Sequence, residues 1–516
     1  MASSMKAFQK LSGVLLMFCF LISSSTIIFA DSKEATKVTE HDISKSSLYI
    51  EEGDGDYIVT GSTTSNTITV AGGEHNITFK DVTVDVNNLT NTPAMWVYAS
   101  DVNLKLEGES TLVGGKFKAG IFINGAFSSL RISEDSTGTI NAVGGSNASG
   151  IAAMGTHGEF DINGGTIIAT GSNDKSQDAN KITTNIQPGI MWNNGTVITI
   201  NGGNVTAIGA NNGNGMNGTK KNLIVNGGKV TAKGGNSEKK GGSGILVTSG
   251  KVIINDGEVN ATGGPGGAGI TSQIDGAIRV SGGTVNAKGG KGGAGIGGAE
   301  GYVGGTVTID GGTVNAQGGE GGAGIGGGSL CSGGDITIQD GTVTAIGGST
   351  AAGIGGGYVG DSGNIDVTGG KIVAIAGKNS AGLGGGQDGN VQLISVSGGD
   401  INSLGKDGAA SIGGGLRGGS GTITIASGTI TASKTKNTGD FIGSGYKGED
   451  CTINLADTAI ISNQIVDKGS SVTASIFGNN QTYVAVCILA FIAVISCIIY
   501  IIIRRKTSLI ERRGKQ

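Results

Sequence analysis

Gly282-Gly283-Thr284-Val285-Asn286-Ala287 is followed 29 residues later by Gly311-Gly312-Thr313-Val314-Asn315-Ala316, and then by Asp340-Gly341-Thr342-Val343-Thr344-Ala345. The phrase recurs at the same interval at Gly369, Gly398 and Ser427, and with irregular spacing upstream at Gly164, Gly202, Gly227 and Asp256. A fixed period of this size is the mark of stacked supersecondary units. A second phrase, Ala-Gly-Ile-Gly-Gly-Gly, runs between copies at Ala323 and Ala352. Its apolar position can be followed from Ile121 through Ile151, Ile190, Met216, Ile245, Ile270, Ile296, Ile325, Ile354, Leu383 and Ile412 to Ile442.

Each repeat offers three short segments of strand-forming residues separated by glycine turns. Val307-Thr308-Ile309 alternates with period two, and no segment carries a sustained helical pattern. Four places before each Gly-Gly stands an apolar residue, from Phe160 and Ile198 to Ile394 and Ile423. Two places before it stands another, from Ile162 to Ile425, and three places after its first residue comes a Val/Ile column from Ile167 to Ile430. Strands this short form no sheet within one repeat. Stacked in register they form three parallel sheets around one core, a right-handed parallel β-helix of about 12–13 coils, the coils about 4.8 Å apart. The 102 glycines serve the turns.

The domain boundaries follow. Residues 1–30, with Lys6 and Lys10 before an apolar run, read as a signal peptide, although Ile28 is an imperfect residue before the cleavage point. Residues 31–56 form an N-terminal extension or cap, 57–465 the β-helix, and 466–482 a juxtamembrane linker. Residues 483–503 are an uncharged apolar run long enough for a transmembrane helix. Residues 504–516 are a tail whose Arg504, Arg505 and Lys506 place it in the cytoplasm. The expectation is a plasma-membrane, single-pass protein with the helix outside. Between residues 31 and 503, 28 basic side chains face 39 acidic ones, a net of −11, which disfavours nucleic acid as a partner. Cys331 and Cys451 lie four coils apart, about 19 Å, too far for a disulfide. Sequons stand at Asn76, Asn88, Asn147, Asn194, Asn204, Asn217, Asn260 and Asn480, glycan acceptors if the host is eukaryotic.

Catalysis finds little support. Glycosidases need convergent carboxylates, and the chain has no Asp-Asp pair. Arg131, Arg279 and Arg417 stand beside no acidic cluster in the sequence, and His41, His75 and His157 are isolated. Trp96 and Trp192 are too far apart for a stacking platform. No calcium repeat recurs, so no catalytic residue, metal ligand or cofactor is assigned. The remaining candidate is an outward polar face of Asn260, Asn286, Lys288, Asn315 and Gln317. Such side chains hydrogen-bond sugar hydroxyls or carboxylates; equally, aligned Asn and Thr bond along the stack and stabilise it.

Thr67-Ile68-Thr69-Val70-Ala71, Val102 to Gly108, Ser110 to Gly115 and Ala119-Gly120-Ile121, followed by the two repeat phrases, resemble glycine-rich surface proteins of gut and anaerobic bacteria. The pattern is similar to the carbohydrate-binding β-helix group that includes clostridial pectin-binding proteins. Over residues 55 to 460 the resemblance implies the β-helix and a binder of polysaccharide or surface glycan, hence an adhesin. A structural coat without a ligand is the alternative, and a polysaccharide lyase or hydrolase a weaker one. No Leu-Pro-X-Thr-Gly sorting signal is present, and the resemblance transfers no site residue.

Overall fold

The computed structural model describes residues 38–53, 55–173, 187–193, 195–237 and 240–465. The expected signal peptide, linker, membrane span and tail lie outside them, as do Asn194 and Asn480. Among the described residues there is no helix, and so none long and apolar enough to cross a membrane.

The chain forms a parallel β-solenoid of about 13 turns. One column of strands makes a 15-stranded sheet, from Leu48–Ile50 to Ile442–Gly443. The other two columns join in a sheet of 27 strands, not the two separate sheets expected from the repeat. They join through long strands that run round the corner; in the other coils the two columns are separate strands, with the corner residues outside the strand pairing. Leu393–Gly405 runs through the corner as one 13-residue strand, and its register against Thr422–Lys434 shifts there beside Gly399 and Gly428, both at positive φ.

The apolar columns read from the repeat are the inward ladders. Phe160, Ile198, Leu223 and Val252 pair in order, and Ile278, Val307, Ile336, Ile365, Ile394 and Ile423 continue the row. All are buried in one continuous core. The column from Ile121 to Ile442 is likewise register-paired throughout, although Ile442 at its end is only partly buried.

The solenoid begins earlier than residue 57. Leu48–Ile50 stacks beneath Ile68–Ala71 with Leu48 and Ile50 buried, and Val38–Asp42 pairs with Gly55–Thr63. The Leu48-Tyr49-Ile50 alternation is a strand pattern, so this part of the extension is the first coil itself rather than a lid over it.

The Ile-Gly-Gly-Gly phrase has a steric cause. Gly297, Gly326, Gly355, Gly384, Gly413 and Gly443 all take φ between 125° and 145° and stack directly. A Cβ on Gly355 would lie 2.0 Å from the Gly384 carbonyl oxygen. Glycine alone lets successive coils approach this closely.

Candidate functional site

The predicted polar face is present. Asn260, Asn286 and Asn315 are register partners on outward positions, with Lys288 opposite Gln317 on the same strands. The three amides form a ladder: Asn315 Nδ2 donates to Asn286 Oδ1 at 2.9 Å, Asn286 Nδ2 to Asn260 Oδ1 at 2.9 Å, and Asn260 Nδ2 to Glu258 Oε1 at 2.7 Å. Each of the three amides commits one N–H to this ladder. A second ladder, Asn255 to Asn226 to Asn201 to Asn163 with three bonds of 2.8 Å, lies along a corner that the sequence reading did not single out. These amides bind coil to coil. Replacing Asn286 with alanine breaks two such bonds at a partly exposed position and is expected to cost about 1 kcal/mol in thermal or denaturant unfolding. No loss of stability would remove the ladder's structural role.

The arginines are better partnered than their sequence neighbours indicate. Arg131 stands among three carboxylates: it bonds Asp101, reaches Glu159 Oε2 at 3.1 Å, and lies 3.6 Å from Asp161 Oδ2. This corrects the expectation that no arginine adjoins an acidic cluster. The partners are 28 to 30 residues away and meet Arg131 only through the stack. The bond to Asp101 foremost, then those to Glu159, hold the guanidinium protonated beyond its ordinary range, so it is unsuited to abstract a proton. Burial, and then the Glu159 charge, push the Asp161 carboxyl up, while Thr199 and Arg131 oppose the shift. Arg279 and Arg417 each pair with one aspartate, Asp310 and Asp388. No group of three His, Cys, Asp or Glu able to hold a metal occurs among the described residues. Cys331 and Cys451 are free thiols whose pKa values burial raises.

The aromatic side chains require a larger correction. Trp192 points inward, fully buried, with Nε1 donating to the Lys221 carbonyl at 3.3 Å. A Cβ on the facing Gly218 would lie 2.2 Å from the Trp192 ring. Trp96, however, has aromatic neighbours. On Met95–Tyr98, Met95 and Val97 face the core, so Trp96 and Tyr98 face out. On the next coil Ile121–Asn124 places Phe122 opposite Trp96. Ring centroids lie 5.6 Å apart for Trp96–Tyr98 and 6.3 Å for Trp96–Phe122. Lys118 Nζ stands 4.4 Å from the Phe122 centroid. Two coils below, Tyr49 is 61% exposed in the same column. The Trp96 indole N–H is shielded from solvent and has no acceptor within the protein. A cluster of mutually inclined aromatic rings with Lys118 at its edge therefore occupies the outer face of the 15-stranded sheet.

The family described as Beta helix repeat matches six stretches of the chain, residues 161–180, 198–218, 252–270, 278–302, 307–329 and 336–358. With the register above, this makes the chain a β-helix repeat protein. Neither a curated protein nor a solved structure matches it. Apart from residues 174–180, which lie outside the described residues, the matched stretches lie along the ladders downstream of Trp96 and Phe122.

Proposed function

We propose that this is a single-pass cell-surface adhesin whose solenoid binds carbohydrate, a polysaccharide or a host glycan, with the N-terminal domain outside the plasma membrane. The observation that carries the reading is the outward cluster of Trp96, Tyr98 and Phe122 with Lys118 beside it. Aromatic faces with a donor at their edge receive the apolar faces of sugar rings while the donor takes ring hydroxyls or carboxylates. Tyr98, 46% exposed, and the partly exposed Trp96 and Phe122 leave apolar area on the surface that a ligand would bury. The apolar run at 483–503 and its basic flank support the anchored placement. The polar face of Asn260, Asn286, Lys288, Asn315 and Gln317 offers further hydrogen bonds to a long polymer, secondary to its bonds along the stack. The resemblance to carbohydrate-binding β-helix proteins points the same way.

The test is binding of the detergent-solubilised full chain to an array of animal glycans and plant polysaccharides, with calcium and with chelator. Binding to one polymer class, lost when Trp96 is replaced, is the expected result. A blank array from protein shown to be folded and β-rich would overturn it in favour of a structural coat, which the asparagine ladders suit. Release of reducing or unsaturated ends from a bound polymer would move the assignment to an enzyme.

A further inference from the structure

Lys116-Phe117-Lys118-Ala119-Gly120-Ile121-Phe122-Ile123-Asn124-Gly125-Ala126-Phe127 carries phenylalanines at five-residue intervals on a single coil. Phe122 lies on the outer face of the strand, Phe117 on the corner before it and Phe127 on the corner after it. Phe117 is 49% exposed and Phe127 70%. Both adopt left-handed backbone, φ 69° and 56°, where bulky side chains are disfavoured. At the Phe117 slot the neighbouring coils carry asparagine, and at the Phe127 slot the coil above carries His157, φ 58°. Asn91 and Asn147, at φ 57° and 61°, occupy the corner slot below and above Phe117. Hydrogen bonds from Asn91 N to Lys116 O and from Phe117 N to Ser146 O tie the three together. Gly195 lies two coils above Phe127. Between them His157 stacks on the Phe127 ring, with centroids 5.5 Å apart and planes at 22°.

An exposed phenylalanine in a slot suited to asparagine or glycine lowers stability on two counts, backbone strain and apolar exposure. His157 against the Phe127 ring and Lys116 over the Phe117 ring recover part of this cost. These two corner rings and the partly exposed Phe122 on the strand between them follow one coil across the stack, with Lys116 Nζ 5.0 Å from the Phe117 centroid.

Resting on the carbohydrate reading above, we propose that the glycan chain lies across the coil, not along the asparagine ladder. It occupies three successive subsites: Phe117 with Lys116, Phe122 with Trp96, and Phe127 with His157. The central subsite sets affinity for short oligomers, and the two corner subsites add affinity only when the chain reaches them.

The test uses the full chain and two- to six-residue oligosaccharides of β-1,4-glucose, β-1,4-xylose and α-1,4-galacturonate, titrated calorimetrically. In at least one series the hexamer is expected to bind at least tenfold tighter than the dimer. Phe117→Asn, which installs the residue of both adjoining coils, with Phe127→Gly, the residue of Gly195 two coils above, should bring hexamer affinity down to the dimer's and leave the dimer unchanged. That variant should melt no lower than wild type, which separates lost subsites from lost fold. If the hexamer advantage survives in it while Trp96→Ala abolishes dimer binding, the transverse path is wrong and the carbohydrate face stands. Absence of binding by wild type in every series overturns both.

Discussion

Replacing Gly355 with alanine should be among the most destabilising single changes in this chain, about 3–5 kcal/mol. Two costs add. The residue sits at φ 128°, a backbone state that costs a non-glycine residue about 1–3 kcal/mol. The new Cβ would also fall 2.0 Å from the Gly384 oxygen and 3.0 Å from the Gly384 carbonyl carbon. Relief requires two coils to separate, which opens the ladder above Ile354 and Leu383. Gly301 supplies the internal control. It has φ 77° but nothing within 4 Å of an added Cβ, so Gly301→Ala carries strain alone, about 1 kcal/mol. Thermal unfolding followed by circular dichroism decides the matter: equal melting of the two variants would show that the close approach of coils is not what demands glycine. Because coils contact only their neighbours, Gly355→Ala should also melt the stack in segments rather than in one transition.

This glycine column was legible because inward positions repeat with the period of the stack. Val307 predicts Ile336, and Ile325 predicts Ile354, since both members of each pair fill the same volume of one core. Outward positions obey no such constraint, and that is where reading along the chain failed. Trp96 and Trp192 look comparable in sequence, yet one faces water and the other faces Gly218 in the core, because they stand at the first and second positions after their column residues Met95 and Ile190. Likewise Arg131 looks isolated until Asp101 and Glu159 are brought beside it by pairing with Ser129 on either side. The signal was available. Counting Trp96 and Phe122 from Met95 and Ile121 puts both on one outward column, and the three evenly spaced phenylalanines from Phe117 to Phe127 stand out once the coil is known. The irregular length of the early coils concealed it, since a strict 29-residue offset misaligns them.

Trp96→Ala together with Phe122→Ala should lower affinity for the array-positive polymer by at least 100-fold while the fold persists. Central aromatic anchors account for about 2 kcal/mol or more each when truncated, and two acting on one sugar face approach 4 kcal/mol when their losses add. Their effect on folding is smaller, because the inward neighbours Met95, Val97, Ile121 and Ile123 stay buried and carry the strand pairing. About 1 kcal/mol per site is expected there. Trp96→Phe refines the reading. It keeps a ring against Phe122 and Tyr98 but removes the indole N–H that has no acceptor in the free protein. That N–H is shielded from solvent, so an external sugar does not reach it while the ring stays in place, and the comparison isolates stacking. Trp96→Phe should then match wild type, and Trp96→Ala alone should show the loss. Affinity within two-fold of wild type for the double alanine variant, in protein of unchanged melting behaviour, would remove the aromatic cluster as the binding face. It would leave the polar ladder of Asn260, Asn286, Lys288, Asn315 and Gln317 as the surface to test next.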